Sequence, residues 1–152
     1  MRSILYFVLG LLAASSAFAA SGENGMTVLP TKHSFKELVA RLDEAVQAND
    51  MGLVTRASAS AGAAGRGVKI PGNMVVGVYR NDFAVRMLDA SVPAGIEAPI
   101  RFYLTENADG TATLSYRAPS VVFAPYKGGA KLEALAHELD GIFAKIAADA
   151  VN

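Results

Sequence analysis

Ile100-Arg101-Phe102-Tyr103-Leu104-Thr105, then Asn107-Ala108-Asp109-Gly110, then Thr111-Ala112-Thr113-Leu114-Ser115-Tyr116-Arg117 is the stretch on which the fold turns. Ile100, Phe102 and Leu104 alternate with Arg101, Tyr103 and Thr105, the period of two that gives a strand one buried and one wet face. The Asn107 to Gly110 segment supplies a turn, and Leu114 and Tyr116 repeat the alternation on the return, so a β-hairpin is predicted, ended by Pro119. Alternation also gathers Arg101, Tyr103, Ser115 and Arg117 on the face opposite Phe102, Leu104, Leu114 and Tyr116. That polar and aromatic face is then either wet or a contact surface for a ligand or a second copy, since Arg and Tyr are favoured at interfaces.

Beyond the hairpin, Val121-Val122-Phe123 is a short apolar run, and Gly128-Gly129 opens a long helix predicted from about Ala130 to Ala148. Leu132, Leu135, Leu139, Ile142, Phe143 and Ile146 form its buried stripe, with Glu133, His137 and Asp140 on the other side. Before the hairpin, Met26 to Leu29 reads as a strand ended by Pro30, and Ser34 with Glu37 forms a capping box. The helix it starts carries Phe35, Leu38, Val39, Leu42 and Val46 at helical spacing and stops at Asn49-Asp50. Met51 to Thr55 and Asn73 to Tyr79 read as strands, and Asn81 or Asp82 caps a short helix that ends before Pro93-Ala94-Gly95. Ala57 to Gly72, crowded with Ala, Gly and Ser, has little side-chain volume to anchor it and is expected to be the most mobile internal segment.

This order predicts an α+β fold: a small antiparallel or mixed sheet of about four to five strands with two main helices packed on one face. The expected organisation is a signal peptide over residues 1–19, a leader and first strand over 20–33, with Ser21 to Gly25 disordered, and a single domain over 34–152. Arg2, the apolar run Ile4 to Ala14 and the small residues Ala17 and Ala19 carry the signal reading, with the cut after Ala19 or Ala20. A retained anchor is the alternative, but the run falls well short of the ~20 apolar residues a spanning helix needs. Cleavage would leave a periplasmic or secreted protein without a membrane span.

The chain of 152 residues balances 14 Lys and Arg against 14 Asp and Glu, with no basic block, which argues against nucleic acid as a partner. It has no Cys, which excludes thiolate zinc sites, iron–sulfur clusters and cysteine nucleophiles. His137-Glu138 opens a zinc-protease sequence, but Gly141 stands where the second His belongs. Glu133, His137 and Asp140 share a helical face as weak metal candidates, and His33 is a further candidate ligand for a metal or haem iron. Ala57 to Gly72 holds a glycine-rich tract with Arg66 and Lys69, which is no Walker sequence yet could close as a loop over an anionic ligand. No catalytic residue is identified: there is no Gly-x-Ser-x-Gly elbow, and the two His lie at opposite ends of the chain.

The middle of the chain resembles the bacterial domain-of-unknown-function family 302 (DUF302). The likeness is carried by Phe35 to Val54, by Val75-Val76-Gly77-Val78-Tyr79-Arg80-Asn81, by Pro99 opening the hairpin, by Asp109-Gly110, and by Ser115-Tyr116-Arg117-Ala118-Pro119. It spans roughly residues 34–126 together with the closing helix. Many members carry Cys before that Asn and after that Pro; Arg80 and Ile100 stand there in this chain, which rules out a thiol-based role. The resemblance implies a compact α+β domain that pairs as a homodimer through its sheet, and names no substrate. The function expected is a non-enzymatic, exported small-ligand-binding or accessory domain, holding a small or apolar ligand between sheet and helices. The residues expected to bind are Arg66, Lys69, Tyr79, Arg80, Asn81, Arg101, Tyr103 and Arg117. The alternatives are a haem- or metal-dependent exported enzyme, in which Asp82, Asp89, Glu97 or Glu106 would converge with a His, and an envelope structural protein.

Overall fold

A computed structural model describes residues 20–21 and 23–152, so the expected signal peptide lies outside the described residues. The strands are β1 (Ala20–Ser21), β2 (Met26–Ser34), β3 (Gly52–Ala57), β4 (Asn73–Tyr79), β5 (Ile100–Glu106) and β6 (Thr111–Arg117). The helices are α1 (Phe35–Ala48), α2 (Ala59–Ala64), α3 (Asn81–Ala90), α4 (Pro119–Phe123) and α5 (Gly129–Val151), with a 3-10 segment at Val92–Glu97. The strands form one sheet in the order β1-β2-β6-β5-β4-β3, every neighbouring pair antiparallel. This is the expected α+β architecture, with five long strands and a two-residue strand at one edge. No helix among the described residues is long and apolar enough to cross a membrane.

The core lies between the sheet and the helices α1, α3 and α5. Phe102, Leu104 and Leu114 reach it from the hairpin, Leu38, Leu42 and Val46 from α1, and Leu135, Phe143 and Ile146 from α5, all fully buried. Phe102 stacks on Phe143 with ring centroids 5.0 Å apart. Ile142, expected within the α5 stripe, lies at its edge and is half-buried.

Several boundaries differ from the sequence expectation. Ser21 to Gly25 is no disordered leader: Ala20 and Ser21 pair with Val28 and Thr27, and Glu23–Gly25 turns the chain into β2. β2 does not stop at Pro30, because the register shifts between Pro30 and Ser34 and the strand resumes, as bulged strands do around a residue without an N–H. β2 lies between β1 and β6, so the folded unit begins before residue 34. The N-cap of α3 is Arg80 rather than Asn81 or Asp82; its guanidinium donates to both Asp82 carboxylate oxygens, at 2.7 and 3.0 Å. The Val121 to Phe123 run belongs to a short helix that Pro119 begins.

The capping box of α1 forms as expected. Ser34 Oγ accepts the Glu37 N–H at 3.3 Å, and the Glu37 carboxylate accepts the Ser34 N–H at 2.9 Å and its hydroxyl at 2.8 Å. These bonds from the Ser34 backbone, then its side chain, hold the Glu37 carboxyl below its ordinary range. Ser34→Ala is expected to cost about 1 kcal/mol at neutral pH, as loss of an N-cap does. Because the folded carboxyl titrates lower than the unfolded one, its contribution is present above about pH 4 and lost as pH falls. Urea unfolding of both proteins at pH 7 and pH 3 checks this, the gap between them narrowing in acid.

Candidate functional site

Helices cover one face of the sheet; the opposite face is assembled by register. Val28 pairs with Ser115, Ser115 with Tyr103, Tyr103 with Val75, and Val75 with Ala57, so one row crosses five strands on that side. One residue pair beyond Phe102 and Tyr116, Arg101 and Arg117 follow on the same side, flanked by Gly77 and Met26. These residues enclose a groove of about 260 Å³ lined by Arg101, Tyr103, Ser115, Arg117, Met26, Val75 and Glu97 among others.

Ser115 forms the floor, with only 6% of its surface exposed. Tyr103 is held as a wall: Asn73 Nδ2 donates to its hydroxyl, and Asn73 is itself clamped by Ser58 Oγ donating to its carbonyl at 2.8 Å and Ser60 Oγ accepting its N–H at 3.1 Å. Glu97 sits at one end. It accepts the Tyr126 hydroxyl at 2.6 Å, a bond that raises the Tyr126 pKa above its ordinary value, and lies 3.7 Å from Arg101.

The residues expected to bind divide into separate places. Arg101, Tyr103 and Arg117 come together in the groove. Tyr79 and Arg80 line a different, apolar cleft with Met51, Phe83, Met87 and Ile100, and the Arg80 guanidinium lies 4.2 Å from the centre of the Phe83 ring. Arg80 and Ile100, the two positions where the family resemblance sets Cys, thus border one cleft. Its volume is about 30 Å³, the share of roughly one water, because the core side chains fill the space between sheet and helices where a ligand was expected. Asn81 is exposed at the start of α3. Arg66 and Lys69 are exposed in the segment that follows α2 and leads to the Asn73 end of β4, whereas Tyr79 closes the other end. At a strand rise of ~3.4 Å per residue those ends stand about 20 Å apart, so the structure does not bring the basic loop to Tyr79 and Arg80.

No three His, Asp or Glu side chains among the described residues are grouped to hold a metal. Asp140 turns instead toward α4: one carboxylate oxygen accepts the Ser120 N–H at 2.9 Å, and the other lies 3.3 Å from His137 Nδ1. A cavity of about 310 Å³ between α4 and α5 is bordered by Ser120, Tyr126, Glu133 and His137. His33 is the last but one residue of β2, its N–H donated to Thr31 Oγ1 at 3.0 Å. The carboxylates expected to meet a His pair elsewhere: Asp82 with Arg80, Asp89 with Lys131, Glu97 with Tyr126, and Glu106 with the Gly72 N–H. Glu97, Met26 and Val75 join the groove through pairings that no local spacing reveals; the strand alternation of Met26 and Val75 was the one available signal.

The family model described as "Domain of unknown function DUF302" matches residues 27–150. Among curated proteins none matches this chain. A solved structure, the crystal structure of an uncharacterized conserved DUF302 protein from Bacillus stearothermophilus, superposes with a TM-score of 0.71 at 15% identity, covering 82% of this chain and 97% of that one. At that identity the likeness is one of fold. With the family model spanning the strands and helices that build both the core and the open face, the chain belongs to the DUF302 family.

Proposed function

We propose that this protein is an exported, non-enzymatic binding domain that holds a small ligand in the groove on the open face of its sheet and works as a homodimer. One observation carries the reading: the uncovered face is a groove of about 260 Å³ with a buried serine hydroxyl at its floor, whereas a plain solvated face would be flat and charged. The cleft between sheet and helices beside Tyr79 and Arg80 supports the same placement, since at about 30 Å³ it is too small for a ligand. Export is supported by Arg2, the Ile4 to Ala14 run and the Ala17-x-Ala19 site. Self-association is supported by apolar side chains at the surface beside α3. Val92 and Ile96 are 72% and 80% exposed, and Leu88, which reaches over Gly95, is 44% exposed.

Protein recovered from the periplasm is expected to begin at Ala20 or Ser21 on N-terminal sequencing, and to show in native mass spectrometry a dimer that carries bound small molecule. A chain starting at Met1 in the membrane fraction would overturn export. A bare dimer would favour a structural role in the envelope, and a copurified metal or haem absorption band would favour the metal- or haem-dependent alternative.

A further inference from the structure

Resting on that reading, we propose that the groove ligand is a small organic oxyanion, a carboxylate or phosphate on a compact apolar body, seated between Arg101 and Arg117 over the Ser115 hydroxyl. Arg101 and Arg117 face the same side from neighbouring strands, whose backbones run about 5 Å apart. Like charges so placed repel each other. Glu97 answers one of them, at 3.7 Å from Arg101. Arg117 has no ion-pair partner among the described residues. An oxyanion between the two guanidiniums removes the repulsion and accepts charge-assisted hydrogen bonds from both.

Ser115 adds a hydroxyl to the same face. The residue is over nine-tenths buried and borders the groove beside both arginines. An oxyanion seated between the arginines would lie over this hydroxyl, which can donate to it. The rest of the groove is apolar. Met26, Val75 and the fixed Tyr103 ring form its walls, which suit a short hydrocarbon or single ring attached to the charged group. A volume of about 260 Å³ limits that body to something near the size of one ring.

Benzoate and phenyl phosphate are the probes, with benzyl alcohol as a neutral analogue of the same body and inorganic phosphate as the bare anion. Titrated into the isotope-labelled protein, benzoate or phenyl phosphate is expected to move the Ser115 and Tyr103 amide resonances. Benzyl alcohol and inorganic phosphate should each bind at least tenfold more weakly, and added salt should weaken the anions selectively. The tighter of benzoate and phenyl phosphate names the class of oxyanion. Arg117→Gln should lose at least tenfold in affinity, Arg117→Lys less, and Ser115→Ala several-fold, with circular dichroism melts showing each variant folded. Equal binding of benzyl alcohol and benzoate, or unchanged affinity in Arg101→Gln and Arg117→Gln, would overturn the anion while leaving the groove a binding site. Resonances that respond to protein concentration and to neither anion would assign this face to a second copy and overturn both.

Discussion

Phe143→Ala is expected to lower the unfolding free energy by about 3–5 kcal/mol, the range for removing a fully buried phenyl ring. Phe143 is 1% exposed on the inner side of α5, and its ring stacks on Phe102 at 5.0 Å and leans on Tyr116 at 6.3 Å. Loss of the ring would therefore leave a cavity bounded by the hairpin, whose strands cannot close it without breaking their own register. Two favourable aromatic contacts go as well, each worth about 0.5–1.5 kcal/mol beyond the area buried. On the same helix His137 is exposed and bonded only to Asp140, so His137→Ala should move stability by no more than about 0.5 kcal/mol. Urea unfolding of both variants, with the slope unchanged, measures the contrast. Equal losses would show that the stripe through Leu135, Leu139 and Phe143 is not what binds α5 to the sheet.

The same contrast explains which parts of the fold could be read from the sequence. The hairpin and α5 declare themselves because each writes its own period, two in Ile100 to Leu104 and near four in Leu132 to Ile146, with a glycine-bearing turn inside the hairpin and Gly128-Gly129 ahead of α5. α4 does not: five residues are too few for a period, and the acceptor that satisfies its Ser120 N–H is Asp140, twenty positions on and in another helix. The end of β2 is hidden for a related reason, since Pro30 is a strand breaker locally and a tolerated bulge only once β6 is beside it. In the groove, alternation alone unites Arg101 with Tyr103 and Ser115 with Arg117. Placing Glu97 against Arg101 takes the 3-10 turn that precedes the hairpin, and separating Arg66 and Lys69 from Tyr79 takes the direction of β4. Local chemistry was legible; which ends of the elements meet was not.

Gly77→Val reverses the usual expectation for a strand. Valine is among the best strand formers and glycine among the worst, so in an ordinary site the change would stabilise, by up to about 1 kcal/mol. At Gly77 it is expected to cost roughly 3 kcal/mol or more, at or above the upper end of overpacking penalties. A Cβ there would collide with Thr55 Oγ1 and lie 2.7 Å from Pro99 Cγ, inside van der Waals contact. Neither neighbour can yield cheaply. Thr55 is opposite Gly77 in the β3–β4 ladder, and the Pro99 ring is rigid and immediately precedes β5. Gly77 is also paired with Arg101, so any displacement that makes room for the side chain moves the strand presenting one of the two groove arginines. Gly77→Ala should show the same sign with a smaller loss, and adding Thr55→Gly should recover part of it, since that removes the nearer of the two obstructions while Pro99 stays. Thermal and urea unfolding of the three proteins decides the matter: a Gly77→Val protein as stable as the parent would mean that the close approach of Thr55 and Pro99 to this backbone does not exist in solution.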